Sequence, residues 1–232
     1  MIVANEKPLD EILRMLKGYS KILVLGCNTC TAVCLAGGEK AARELAAVIE
    51  SKILLDGEGP YVRAEVVERQ CEPEFLQDHI EDWKFFDVIL SLACGAGVQT
   101  LASLMEDRPV LPGLNTAFIG SYVGEGTWSE MCRACGDCVL EFTAGICPIA
   151  RCAKGMLNGP CGGSKDGRCE VDPEKPCAWH LIYERLKRLG QLEKMAEIIP
   201  PKRWATDRRD AGPRRRTKRD ITLPSFLRGF RA

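Results

Sequence analysis

The sequence predicts an α/β fold: a mostly parallel, Rossmann-like or flavodoxin-like sheet, then a cysteine-rich module, one helix and an extended basic tail. Three observations predict it. Strand-like stretches at 21–26, 61–69 and 85–93 alternate with helical patterns, as strands do when a parallel sheet is covered on both faces. Eight of the 13 cysteines crowd into residues 127–177, at Cys132, Cys135, Cys138, Cys147, Cys152, Cys161, Cys169 and Cys177. From Pro200 the chain is basic and shows no periodicity. The expected division is 1–126 for the α/β domain, 127–199 for the cysteine module with its closing helix, and 200–232 for the tail.

The elements follow in order. PLDEILRMLKG at 8–18 reads as an amphipathic helix, with Pro8 in the first turn, Ile12, Met15 and Leu16 on one face and Gly18 at its end. KILVLG at 21–26 reads as a buried strand, followed by a helical pattern from Thr31 to Glu50 that Gly37-Gly38 interrupts. YVRAEVVER at 61–69 reads as a strand, EPEFLQDHIEDW at 72–83 as a helix, FFDVILSLA at 85–93 as a strand and GVQTLASLME at 97–106 as a helix. VLPGLNTAFIGS adds one or two strand pieces. AWHLIYERLKRL reads as an amphipathic helix whose apolar face is Leu181, Ile182, Leu186 and Leu189, with Lys187 and Arg188 suiting the negative end of its dipole.

The first five cysteines fall at one kind of place on this plan. Cys27 follows the first strand, with Cys30 and Cys34 close behind; Cys71 follows the second strand and Cys94 the third. Carboxyl ends of parallel strands form one rim, where open α/β sheets place their sites. A dinucleotide-binding loop would be glycine-rich here; this one is GCNTCTAVC, so cysteines stand where a pyrophosphate would lie. A [4Fe-4S] cluster needs four thiolates. Cys27, Cys71, Cys94 and one of Cys30 or Cys34 supply them, leaving the fifth as a buried spare. Gly95 and Gly97 are expected to let backbone N–H groups reach the cluster sulfides.

Composition sets the chemistry of the module. Pro8, Asp10 and Glu11 interrupt the start before an apolar signal region forms, and no apolar run approaches the roughly 20 residues of a membrane span. A reducing cytoplasm is therefore expected, where dense cysteine points to metal more than to disulfides. Lys+Arg and Asp+Glu both total 32, so overall charge argues for neither nucleic acid nor membrane. CRACGDC at 132–138 has two successive Cys-x2-Cys spacings, like the start of a bacterial ferredoxin run, but Cys147-Pro148 comes too late for that pattern. Structural zinc is the alternative, although the two histidines, His79 and His180, lie outside the usual zinc spacings. His180 and Trp179 read as packing residues. Asp137, Glu141, Glu170 and Asp172 read as solvated or cluster-neighbouring carboxylates. Arg151 and Lys154, and more weakly Arg133 and Lys165, could offset cluster charge.

CRACGDCVLEFTAGICPIARCAKGMLNGPCGGSKDGRCEV, continued through CAWHLIYERLKRLGQL, closely resembles the methylenetetrahydrofolate reductase C-terminal domain family, its ICP, CAKG, LNGPCGGS and GRCEV blocks falling in the family's order. ERQCEPEF and SLACGAGVQTL look like the amino-terminal part of the small, MetV-type subunit that carries this domain in acetogens, so the resemblance spans roughly 20–200. It implies an iron–sulfur electron-transfer subunit with two or three [4Fe-4S] clusters. Such a subunit relays electrons to FMN on a flavin-bearing catalytic subunit that reduces 5,10-methylenetetrahydrofolate to 5-methyltetrahydrofolate, in the one-carbon metabolism of the Wood–Ljungdahl pathway. A ferredoxin or an NAD(P)H-oxidising subunit is the expected donor. No catalytic residue is expected on this chain, which shows no triad and no (β/α)8 repeat. The competing classes are a structural zinc scaffold of the same complex and a stand-alone enzyme with its own flavin or folate site. The tail, with Arg208-Arg209, Arg214-Arg215-Arg216, Trp204, Phe226 and Phe230, is expected to wrap an acidic face of the partner.

Overall fold

The computed structural model describes residues 1–54, 59–202, 204, 213 and 214. The chain divides into two compact units, one of Met1–Arg133 with Cys147–Gly155, the other of Ala134–Ile146 with the chain from Met156 onward. The first unit runs β1 (Ile2–Glu6), α1 (Leu9–Leu16), β2 (Lys21–Cys27), α2 (Cys30–Val33), α3 (Glu39–Leu54), β3 (Tyr61–Val67), α4 (Ile80–Trp83), β4 (Val88–Leu92), α5 (Gly95–Leu104), β5 (Val110–Pro112), β6 (Leu114–Gly124), β7 (Thr127–Cys132) and α6 (Pro148–Arg151). The described helix of the second unit is α7 (Ala178–Arg188), followed by a 3-10 turn at Leu192–Ala196.

Four strands form the expected parallel sheet, in the order β3-β2-β4-β5. Strict alternation in β2 sends Ile22 and Val24 to one face and Leu23 and Leu25 to the other, all of them fully buried. The first face packs on Ile12 and Leu16 of α1 and on Ala42, Ala46 and Ile49 of α3. The second packs on Leu76, Trp83, Phe86, Leu101 and Met105. Burial on both faces is why β2 and β4 read as continuous apolar runs, and each such side chain contributes about 1.5–3 kcal/mol.

A second sheet, antiparallel in the order β1-β6-β7, was not expected. The stretch 110–121 divides at Gly113: β5 joins the parallel sheet, while β6 turns away and pairs with β1, Ile2 facing Ile119. IVANE is too short and too mixed to announce a strand; its pairing partner lies more than a hundred residues along the chain.

Other elements differ in detail. The expected helix at 72–83 is two 3-10 turns, Pro73–Phe75 and Gln77–His79, ahead of the single turn α4. Leu76 and Trp83 are both fully buried; seven residues apart, they would share one face of a continuous helix as well, so the expected apolar face is kept although the helix is broken into turns. The pattern at 31–50 splits into α2 and α3 across Gly37-Gly38. Pro8 is the N-cap of α1 rather than part of its first turn. The buried face of α7 is Ala178, Trp179, Ile182 and Leu186, whereas Leu189 is exposed. No helix among the described residues is long and apolar enough to cross a membrane.

Candidate metal centre

The rim of the first unit is framed by two buried polar side chains. Gln70, immediately before Cys71, donates from Nε2 to the carbonyls of Leu25 (2.9 Å) and Gly26 (3.0 Å) and accepts from Ser91 Oγ at 2.6 Å. It thereby ties the loop after β3 to the ends of β2 and β4. Thr31 Oγ1 is within 3.2 Å of the Cys27 carbonyl and 3.0 Å of the Leu92 carbonyl, tying α2 to the same two strands. Neither residue was singled out in the sequence, where nothing distinguishes a buried Gln or Thr from an exposed one.

Within that frame the expected convergence holds for three cysteines. Cys27 ends β2, Cys71 lies in the loop after β3, and Cys94 is the N-cap of α5 directly after β4. These are three adjacent strands of the sheet. The Cys27 sulfur lies 3.6 Å from Thr29 Oγ1 and 4.0 Å from the Glu68 carbonyl, facing the end of β3. Partial burial, then the neighbouring thiols of Cys94 and Cys27, and finally Glu72 push the Cys71 thiol above its ordinary pKa, against the pull of a backbone hydrogen bond. The thiols of Cys94 and Cys27 thus both stand within electrostatic reach of that of Cys71.

Cys30 and Cys34 part company. Cys30 opens α2 and is half-buried. Cys34, 7% exposed, belongs to the core cluster, its sulfur 3.5 Å from the Thr31 carbonyl and 3.8 Å from that of Ala4. The two glycines have roles within the protein fold. The Gly95 N–H donates to Thr116 Oγ1 at 2.8 Å, so it is already engaged within the protein. Gly97 is small for packing, since a Cβ there would stand 2.7 Å from that of Ala93 and 2.9 Å from that of Gln70.

The later cysteines are shared between the two units. Cys132 ends β7, and Cys147 and Cys152 cap the two ends of α6, in the first unit. Cys135, Cys138, Cys161, Cys169 and Cys177 belong to the second. There Cys161 Sγ lies 3.5 Å from Glu170 Oε1. The Cys169 N–H donates to the Lys175 carbonyl at 3.0 Å, and that of Cys177 to Gly167 at 2.8 Å, where Cys177 caps α7. Trp179 is buried and donates from Nε1 to the Met156 carbonyl at 2.9 Å, as a packing residue should; His180 is exposed, its ring against Gly167. Of the expected charges, Arg151 reaches Met131 Sδ at 3.1 Å, Arg133 pairs with Glu130 at 3.2 Å, and Asp172 pairs with Lys175 at 2.9 Å, which lowers the Asp172 carboxyl below its usual range. Of the tail residues named above, Arg208, Arg209, Arg215, Arg216, Phe226 and Phe230 lie outside the described residues.

Among the described residues no three His, Cys, Asp or Glu side chains form a group that could hold a single metal ion. A single tetrahedral zinc draws its sulfurs to about 3.8 Å of one another, given bonds of about 2.3 Å. A cluster that bonds each thiolate to a different iron accepts a wider set. An all-sulfur set at strand ends has the donor chemistry for such a cationic core.

Residues 111–205 match the family described as methylene-tetrahydrofolate reductase C terminal. No curated protein and no solved structure matches the chain.

Proposed function

We propose that this chain is the iron–sulfur electron-transfer subunit, MetV-type, of a methylenetetrahydrofolate reductase complex, relaying electrons to FMN on a flavin-bearing catalytic subunit. The family match over 111–205 supports the association with that reductase. The observation that carries the redox reading is the placement of Cys27, Cys71 and Cys94 at the carboxyl ends of three adjacent parallel strands. Counted among the parallel strands alone, the sheet order is 2-1-3-4, the flavodoxin-like sequence, and its reversal of direction lies between β2 and β4. Cys27 and Cys94 flank that point.

Cys27, Cys30, Cys71 and Cys94 are the proposed ligands of a rim cluster, with core-packed Cys34 as the spare. Cys132, Cys135, Cys138, Cys147, Cys152, Cys161, Cys169 and Cys177 are the proposed ligands of one or two more. Such clusters supply one-electron steps, which a flavin can accept singly and pass on in pairs. The chain's own residues position the sulfurs and shield them: Gln70 and Thr31 hold the rim loops, and the Thr29 hydroxyl meets the Cys27 sulfur. Hydrogen bonds of that kind tune a cluster's potential.

The test is reduction of the partner. The dithionite-reduced, desalted chain mixed anaerobically with the flavin-bearing subunit is expected to bleach its FMN, and Cys71→Ala to do so more slowly. FMN that stays oxidised beside a reduced chain would sink the relay.

A further inference from the structure

We propose that Lys202 and Arg214 form a cationic strap across the loop Ala134–Cys138, orienting the peptide units of Cys135 and Cys138 and placing positive charge beside the sulfur centre these cysteines ligate. This rests on the iron–sulfur reading above.

The Lys202 side chain is 1% exposed. Lysine is buried so deeply only when it is paired. Its ammonium donates to the Asp137 carbonyl, stands 3.9 Å from Asp137 Oδ2, and lies 5.8 Å from the centre of the Trp204 ring. Arg214 Nη1 donates to the Ala134 carbonyl at 2.7 Å. Two cations from the C-terminal segment therefore hold two carbonyls of one short loop.

Peptide planarity gives this a consequence. In a trans unit the C=O and N–H point to opposite sides, and the chain has no cis peptide bond. The Ala134 carbonyl shares its plane with the Cys135 N–H, and the Asp137 carbonyl with the Cys138 N–H. Holding each carbonyl therefore fixes the direction of the cysteine N–H that follows it. Ala134 (φ 51°) and Gly136 (φ 85°) adopt left-handed backbone, the geometry that gathers successive N–H groups into an anion-accepting concavity. The Cys135 sulfur lies 3.8 Å from the same Asp137 carbonyl oxygen that Lys202 engages, so the buried ammonium is one atom away from a proposed ligand.

Reduction adds a negative charge to a thiolate-held cluster. A desolvated cation beside it favours the reduced form, and its removal lowers the potential. The described cations of the C-terminal segment thus act inside their own unit, on the loop, instead of waiting for a partner's acidic face.

The experiment compares full-length, anaerobically purified wild type with Lys202→Met, Lys202→Arg and Arg214→Gln. It reads iron and sulfide per chain, midpoint potentials by EPR-monitored titration, and amide hydrogen exchange at Cys135 and Cys138. Lys202→Met is expected to move one cluster to more negative potential and to speed loop exchange by about tenfold or more. Lys202→Arg restores both, and Arg214→Gln gives a smaller change in the same direction. Unchanged exchange in Lys202→Met and Arg214→Gln overturns the strap, and faster exchange with unchanged potentials overturns its electrostatic role. Wild type lacking iron and sulfide refutes the iron–sulfur reading and with it that role, while the exchange rates still decide the strap.

Discussion

Gln70 is the residue on which the rim geometry turns. Its amide joins the ends of β2 and β4 to the loop bearing Cys71, and it is fully buried. Gln70→Ala leaves the Leu25 and Gly26 carbonyls without their donor and Ser91 without its acceptor, a loss of about 2–3 kcal/mol. Urea unfolding of the chain should show it, together with reduced iron loading; unchanged iron in a destabilised variant would mean that Gln70 merely packs. Cys71 makes a second residue-scale prediction. Its thiol pKa is raised, so in the metal-free chain its thiolate forms at higher pH than that of an ordinary thiol. The folded state disfavours the thiolate, so this contribution is neutral while the thiol is protonated and becomes a loss as pH rises past the ordinary thiol value. Alkylation of metal-free protein at mildly alkaline pH should label Cys71 more slowly than an exposed reference thiol, and Cys94→Ala should speed it. Equal rates would show that the three thiols do not face one another.

At the scale of elements, α2 separates two cysteines that the sequence presents as equivalents. Cys34→Ala should leave iron content unchanged, because its sulfur lies in the core against Ala4. Cys30→Ala should lower it toward the loss of one cluster, about four irons. The reverse outcome would exchange their roles. The approach of α5 to the rim depends on Gly97, where a Cβ would press on Ala93 and Gln70. Gly97→Val is expected to cost about 1–3 kcal/mol through overpacking, measured by thermal unfolding. The central strands β2 and β4 were legible because burial on both faces leaves an apolar run between turns. α5 and α7 were legible from their periodicity. β1 was not, because a short mixed strand is defined by its distant partner β6, and the spacing of Leu76 and Trp83 at 72–83 does not distinguish one continuous helix from successive tight turns.

Across the whole molecule, cysteine placement was the most legible part of the site: strand-end positions are set by chain order, and chain order is visible in the sequence. What joins those positions was not visible. Gln70, Thr31 and Lys202 act through burial and distant carbonyls, and an isolated Gln, Thr or Lys in a sequence carries no mark of either. The division of the later cysteines between two units was equally hidden, because CRACGDC reads as one motif while the boundary falls between Arg133 and Ala134.

The central proposal is that the cysteines other than core-packed Cys34 serve iron–sulfur chemistry. Iron, acid-labile sulfide and zinc per chain, determined on anaerobically purified protein with its visible spectrum before and after dithionite, test it most directly. The account predicts about eight to twelve irons with matching sulfide and bleaching on reduction. Zinc without sulfide or bleaching would contradict it and leave the chain a structural scaffold.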